Sequence, residues 1–172
     1  MLSLDMKRGL PAAILLFFAC AQKPYGPAPE VGIPVFLTGG PPGGIASLGE
    51  LRGQVVVLEF WATWCKPCIQ TIPHMNKLVD RYQDKPVRFI SVTSEKEAEV
   101  RPFLLEHPIK SWVALDPEHR LAYAFRVRGI PRVAVIDPYG QIVHLTDPRF
   151  MTPSDIEDGL RAKPPPPPAA KT

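Results

Sequence analysis

A mixed β-sheet covered by helices on both faces is the α/β architecture that this sequence predicts, and three observations carry it. The run "VVVLEFW", Val55 to Trp61, is a continuous apolar and β-branched string of the kind found in a strand covered on both sides. Segments with helical spacing of apolar residues then alternate with further strand-like runs. Near the end, "RVAVI" and "QIVHL" flank "DPYG", with Asp137, Pro138 and Gly140 where a type I turn prefers them, which reads as a β-hairpin. The order βαβα…ββα gives helices on both faces of the sheet, and right-handed crossovers make the early strands parallel while the hairpin is antiparallel.

The elements follow in chain order. "SLGE", Ser47 to Glu50, matches a capping box and opens a short turn closed by Gly53. After the strand at Val55, a helix starts at the cysteines of "WCKPC", with Ile72, Met75, Val79 and Tyr82 on one face and a kink expected at Pro73. "VRFISVTS", Val87 to Ser94, is a second strand, and Val100, Phe103, Leu104 and His107 line the face of the next helix. "SWVALD" reads as a short strand or extended stretch, and Leu121, Ala124 and Phe125 mark another helix. Beyond the hairpin, Thr152, Pro153 and Asp155 cap a last helix through Leu160.

With 172 residues the chain is long enough for one domain with a substantial core and some additional length. Its net charge of +3 is spread along the chain without a Lys/Arg cluster, which argues against a nucleic-acid partner. The 22 prolines are concentrated towards the ends. Lys7 and Arg8 precede an apolar run, Leu10 to Ala21, that has the length of a signal-peptide core and is too short to span a bilayer comfortably. The run closes on Ala19 and Cys20 and resembles a bacterial lipobox, apart from the bulky Phe17 and Phe18. In that reading residues 1–19 are a lipoprotein-type signal peptide and Cys20 carries the lipid; the other reading is an ordinary or uncleaved signal with Cys20 incidental. Either one puts the domain outside the cytoplasm, where disulfides persist. Residues 20–34 read as a Pro/Gly-rich extended tether, 35–162 as the domain, and 163–172 as a solvated polyproline tail.

Of three cysteines, one is accounted for by the anchor and two are left as a pair at C-x-x-C spacing, Cys65 and Cys68. Such a pair supplies half of a tetrahedral zinc site or closes a small reversible disulfide. A structural zinc site lacks its other ligands, since His74, His107, His119 and His144 are scattered singly, and no metal is assigned. The disulfide reading explains more of the surroundings. Cys65 falls where a buried strand gives way to a helix N-terminus, whose free N–H groups and dipole favour a thiolate. Lys66 adds a positive charge beside it, and Pro67 fits the first helical turn. Cys68, a turn deeper, stays protonated and resolves a mixed disulfide. Glu59 shares a strand face with Val57 and Trp61, so its carboxylate lies under the pair in apolar surroundings that raise its pKa. It is then placed to take the Cys68 proton, directly or through water; the plainer alternative is an ion pair with a lysine at the sheet end. Trp64 offers an exposed flat surface for a substrate chain, and Trp61 is packing.

"FWATWCKPC" resembles the active site of the thioredoxin superfamily, and its surroundings resemble the TlpA/ResA-type branch of exported, membrane-tethered thiol-disulfide proteins. The resemblance covers roughly Val35 to Arg161, including "SLGELRGQVVVLEFWATWC", Pro73 and "VRGIPRVAVIDPYGQIV". It implies a thioredoxin fold, a cis-proline at Pro131 facing the disulfide, and Ile130 backbone groups free to pair with a substrate strand. The chain departs from the branch at two positions. Many relatives that reduce apocytochrome c carry an acid three residues after the second cysteine, where this chain has Thr71. Many also have Asn where this chain has Glu59, a position at which it resembles cytoplasmic thioredoxins instead.

The resemblance thus implies a monomeric thiol-disulfide oxidoreductase with no cofactor beyond its own Cys65–Cys68 disulfide. Cys65 attacks, Cys68 releases, and exported proteins with disulfides or thiols are the substrates. Ile130 before the cis-proline resembles reducing thioredoxins, so reduction is expected, with a membrane electron donor restoring the dithiol. An oxidant or isomerase, a redox-inert binding lipoprotein and a copper carrier using the dithiol are the alternatives. A peroxidase also uses this fold, but its reactive cysteine lies elsewhere in the strand-to-helix turn.

Overall fold

The computed structural model describes residues 25–165 of the chain. The polypeptide runs through β1 (Gly26–Pro27), β2 (Val35–Thr38), a 3-10 turn (Leu48–Leu51), β3 (Val55–Phe60), α1 (Lys66–Arg81), β4 (Val87–Thr93) and α2 (Glu97–Glu106). It continues through β5 (Trp112–Leu115), α3 (Arg120–Ala124), β6 (Arg132–Ile136), β7 (Gln141–Thr146) and α4 (Pro153–Leu160). The strands form one seven-stranded sheet in the order β1-β7-β6-β3-β4-β5-β2. β3 and β4, and β4 and β5, are parallel; β6 is antiparallel to β3 and forms the hairpin with β7. The mixed sheet expected from the order of elements is thus present.

Alternation along β3 distributes the core. Val56, Leu58 and Phe60 pack with Leu48, Leu51, Leu121 and Phe125 on the face covered by the 3-10 turn and α3. Val55 and Val57 point the other way, into Met75, Leu78 and Tyr82 of the α1 region and Ile156 of α4. Because β3 is central and both faces are covered, every residue in it is buried, which is why its sequence reads as an unbroken apolar run with one exception, Glu59.

The local signals behave as their chemistry dictates. Ser47 and Glu50 form the capping box of the 3-10 turn, and Thr152 and Asp155 form that of α4. In the hairpin turn the Gly140 N–H donates to Asp137 O, and Gly140 takes φ +81°, a conformation costly for other residues. α1 runs on through Pro73.

Residues 25–34 depart from the expectation of a tether. Tyr25 and Ala28 donate backbone hydrogen bonds to Ile142 and Gly140, and β1 pairs with β7. Glu30 accepts from Ser47, Gly49 and Arg52, which ties this segment to the 3-10 turn. Ile33 bridges Ile45 and is fully buried. The packed domain therefore begins about ten residues before Val35. Residues 1–24 and 166–172, with the signal peptide, Cys20 and most of the polyproline tail, lie outside the described residues.

Candidate active site

The loop Trp61–Trp64 carries the chain from the end of β3 to α1, and Cys65 is the N-cap of that helix. Its Sγ accepts from the Cys68 N–H at 3.3 Å, and the two cysteines are joined as a disulfide with Cα atoms 5.2 Å apart. Both are nearly enclosed, Cys65 at 3% and Cys68 at 1% exposure, whereas Trp64 stands 72% exposed beside them. Lys66 is exposed in the first turn and Pro67 partly buried behind it. The apolar packing around the disulfide comes from Trp61, Val100, Val113 and Leu115, with Ile130 against the same cluster. The Ile130–Pro131 peptide is cis, as the resemblance implied, and Pro131 is buried at the start of β6. Trp61 is packing: its ring lies 5.3 Å from that of Phe103.

Glu59 is 6% exposed on the α1 side of the sheet. Its Oε2 accepts from Ser91 Oγ at 2.9 Å, and Ser91 Oγ lies 2.7 Å from Ser111 Oγ. The ion pair with a lysine that sequence allowed is not formed: the only side-chain partner of Glu59 among the described residues is Ser91. Burial pushes the Glu59 carboxyl from 4.5 up to about 7, against a smaller downward pull from the Ser91 hydrogen bond. Glu59 and Cys68 line one narrow cavity of about 10 Å³, walled by Val57, Trp61, Ile72 and Met75. That is room for about one water centre. A carboxyl that titrates near neutrality and the sulfur of Cys68 thus border one water-sized space.

Two features of the site were not visible as sequence motifs. Glu95, just beyond β4, accepts from the Thr63 N–H at 2.7 Å, from Thr63 Oγ1 at 2.5 Å and from Thr93 Oγ1 at 2.9 Å. It pins the loop before Cys65 to the end of the neighbouring strand. The second feature is an open cleft of about 500 Å³ beside the disulfide, lined by Trp64, Lys96, Glu99, Arg128, Gly129 and Ile130 among others. Thr71 is buried and donates to Cys68 O. The histidines stay apart: His74 bonds Met151 O, His144 lies between Asp155 and Asp158, and His107 stacks on Phe103. Among the described residues no three His, Cys, Asp or Glu side chains gather as a metal-holding group.

A helix capped by one cysteine of a C-x-x-C disulfide, on a mixed sheet whose neighbouring strand is preceded by a cis-proline, defines a thioredoxin-like dithiol/disulfide protein. Comparison with known proteins agrees with that class. The model of the AhpC/TSA family matches residues 26–145, most of the chain, and the chain belongs to that family. It is 36% identical over 97 residues to the thiol-disulfide oxidoreductase ResA of Bacillus cereus, covering 56% of each chain. To ResA of Geobacillus kaustophilus it is 31% identical over 116 residues, 67% of this chain and 66% of that one. The chain thus spans a little over half the length of the Bacillus relative. Among solved structures, a Chlorobium tepidum protein proposed to be the thiol:disulfide interchange protein DsbE superposes with a TM-score of 0.64 at 29% identity, covering 78% of this chain and 93% of that one. The thioredoxin domain of a thiol-disulfide oxidoreductase from Bacteroides vulgatus does so with a TM-score of 0.64 at 20% identity, over 80% of this chain and 94% of that one, which speaks for the fold alone. The thioredoxin fold and the ResA/TlpA kinship implied by "FWATWCKPC" are both borne out.

Proposed function

We propose that the chain is a thiol-disulfide oxidoreductase that reduces disulfides of exported proteins by dithiol exchange. The observation that carries this is the shared cavity under the disulfide, in which a carboxyl titrating near 7 meets Cys68. Cys65, at the N-cap of α1 and flanked by Lys66, is the nucleophile: N-terminal N–H groups and the helix dipole stabilise its thiolate. It attacks a substrate sulfur, one substrate thiolate leaves, and a mixed disulfide forms. Glu59 then takes the Cys68 proton, and the Cys68 thiolate attacks Cys65 Sγ, releasing the second substrate thiolate and closing the disulfide seen here. A general base whose pKa lies near the working pH is suited to this, since it is partly ionised and still basic enough to accept. Ile130, next to the cis peptide and against the disulfide cluster, offers its backbone to the substrate chain, and Trp64 its exposed ring.

Lys7, Arg8, the apolar run and Ala19–Cys20 support an exported, lipid-anchored protein on the extracytoplasmic side of a membrane. There, a membrane electron donor would restore the dithiol. Among the described residues no helix is long and apolar enough to cross a membrane. Mass spectrometry of the mature protein tests the anchor: a lipid on Cys20 is expected, and an unmodified N-terminus that lacks or precedes Cys20 refutes it.

Equilibration of the Cys65–Cys68 pair against glutathione or dithiothreitol tests the direction of exchange. Related dithiols span from about −270 to about −120 mV, according to how well the reduced form is stabilised. A value near the reducing end is expected; one at the oxidising end makes the protein an oxidant or isomerase and removes Ile130 as a mark of reduction.

A further inference from the structure

Ser111 borders two separate spaces. On its inner side it lines, with Glu59 and Cys68, the narrow cavity under the disulfide. On its outer side it lines a surface pocket of about 190 Å³ with Lys85, Arg88 and Lys110. Between Ser111 and the carboxyl stands only Ser91, 2.7 Å from Ser111 Oγ and 2.9 Å from Glu59 Oε2. The sheet builds this ladder: parallel register sets Ser91 of β4 beside Glu59 of β3, and pairing of Ser91 with Val113 leaves Ser111, two residues earlier and just ahead of β5, diagonal to it on the same face. Apart from Asn76, the serines and the Trp61 indole N–H, which can only donate, the other side chains around the inner cavity are apolar, and Glu59 and Cys68 are its titratable groups. A proton that reaches Glu59 therefore has few polar atoms to move to. A hydroxyl both donates and accepts, so two in series pass a proton on by exchanging bonds.

We propose that the Ser91–Ser111 hydroxyl pair is a proton relay joining Glu59 to solvent in the surface pocket beside β5, away from the cleft in which substrate docks. The proposal rests on the dithiol-exchange reading and adds the route by which its proton leaves. In the resolving step Cys68 gives its proton to the Glu59 carboxylate. Its thiolate electron pair forms the bond to Cys65 Sγ, and the bond from Cys65 to the substrate sulfur breaks, its electron pair departing with the substrate thiolate. Glu59 then donates to Ser91 Oγ, Ser91 passes its own proton to Ser111, and Ser111 passes its own to water in the pocket. Each hydroxyl ends with one proton, and the dithiol and the substrate disulfide are the only redox partners. When the dithiol is restored, the same chain runs inward.

The test is stopped-flow reaction of the reduced full chain with oxidised glutathione, which separates attack by Cys65 from resolution by Cys68. Wild type is compared with Ser91→Ala, Ser111→Ala and Ser111→Thr at several imidazole concentrations and in heavy water. Ser111→Ala is expected to slow resolution about tenfold in dilute buffer, less than the roughly 10²- to 10⁴-fold that general acid–base catalysis supplies in all. Attack by Cys65 is unchanged, imidazole restores the lost rate by carrying the proton itself, and Ser111→Thr, which keeps the hydroxyl, resolves like wild type. A merely structural role would slow both steps alike and leave imidazole without effect. That result, or Ser111→Ala resolving at the wild-type rate, overturns the relay while leaving dithiol exchange standing. A wild-type chain inert toward oxidised glutathione overturns the exchange reading and the relay with it.

Discussion

Glu59 is the residue at which function and stability pull apart. Burial raises its carboxyl from 4.5 to about 7, so between these values the folded protein holds a proton that the unfolded chain has released. Stability then falls as pH rises through that window, because the unfolded state binds fewer protons than the native one there. Above pH 7 the full penalty remains, on the order of 3 kcal/mol by the free-energy equivalent of the shift. Glu59→Gln removes the ionisation. Denaturant unfolding of the oxidised variant should therefore show about 1–3 kcal/mol more stability than wild type at pH 8 and a difference close to zero at pH 4. The same variant should resolve mixed disulfides about a hundredfold more slowly, through loss of the base. Equal stability at both pH values would mean that the carboxyl is not held near 7. Ser91 offsets part of the burial cost with one hydrogen bond, and Glu95 holds the loop that follows β3 through Thr63.

At the scale of elements, the N-terminal segment is where packing and appearance disagree most. "YGPAPEVGIP" has no periodicity, yet its Ile33 has no exposed surface and lies in the cluster with Ile45, Leu48 and Leu58. Truncating a buried Ile to Ala costs about 2–5 kcal/mol, the spread depending on how far the cavity collapses. Ile33→Ala is therefore expected to lower the free energy of denaturant unfolding by that much, whereas a true tether residue would leave it unchanged. The reason this segment could not be read is physical. β1 and β2 are short edge strands whose hydrogen bonds go to β7 and β5, so what orders them is a partner more than seventy residues away rather than a local pattern. β3, β4, the β6–β7 hairpin and α1 were legible because burial on both faces, helical spacing, caps and turn chemistry are all written locally. The site divides in the same way. Cys65, Cys68, Pro67 and Glu59 stand within one strand-turn-helix unit and declare themselves by spacing. Ser91, Glu95 and Ser111 reach the site only through strand register, and a lone Ser or Glu at a strand end carries no signal of its own.

For the molecule as a whole, strand direction decides where chemistry gathers. β3 and β4 are parallel and β6 runs against β3, so the end of β3, the end of β4 and the beginning of β6 meet at one edge of the sheet. The disulfide loop, Glu95 and the Gly129–Ile130 segment therefore border a single cleft of about 500 Å³, as expected for a sheet whose crevices open beyond the carboxyl ends of its parallel strands. Lys96, Glu99 and Arg128 give its rim charges of both signs, and Trp64 gives it a large exposed apolar surface next to the cysteines. An exposed Trp contributes to stability weakly, so its value lies in what it contacts when a substrate chain docks. Loss of a central aromatic contact costs an interface on the order of 1–2 kcal/mol or more. Trp64→Ala should accordingly raise KM for a protein disulfide about tenfold, the equivalent of 1.4 kcal/mol, with kcat nearly unchanged. Oxidised glutathione, too small to span the cleft, should react with the variant at the wild-type rate, and the thermal midpoint should not move. Steady-state assays with both substrates decide it: an equal loss on each would mean that the ring shapes the disulfide itself rather than the docking of a chain.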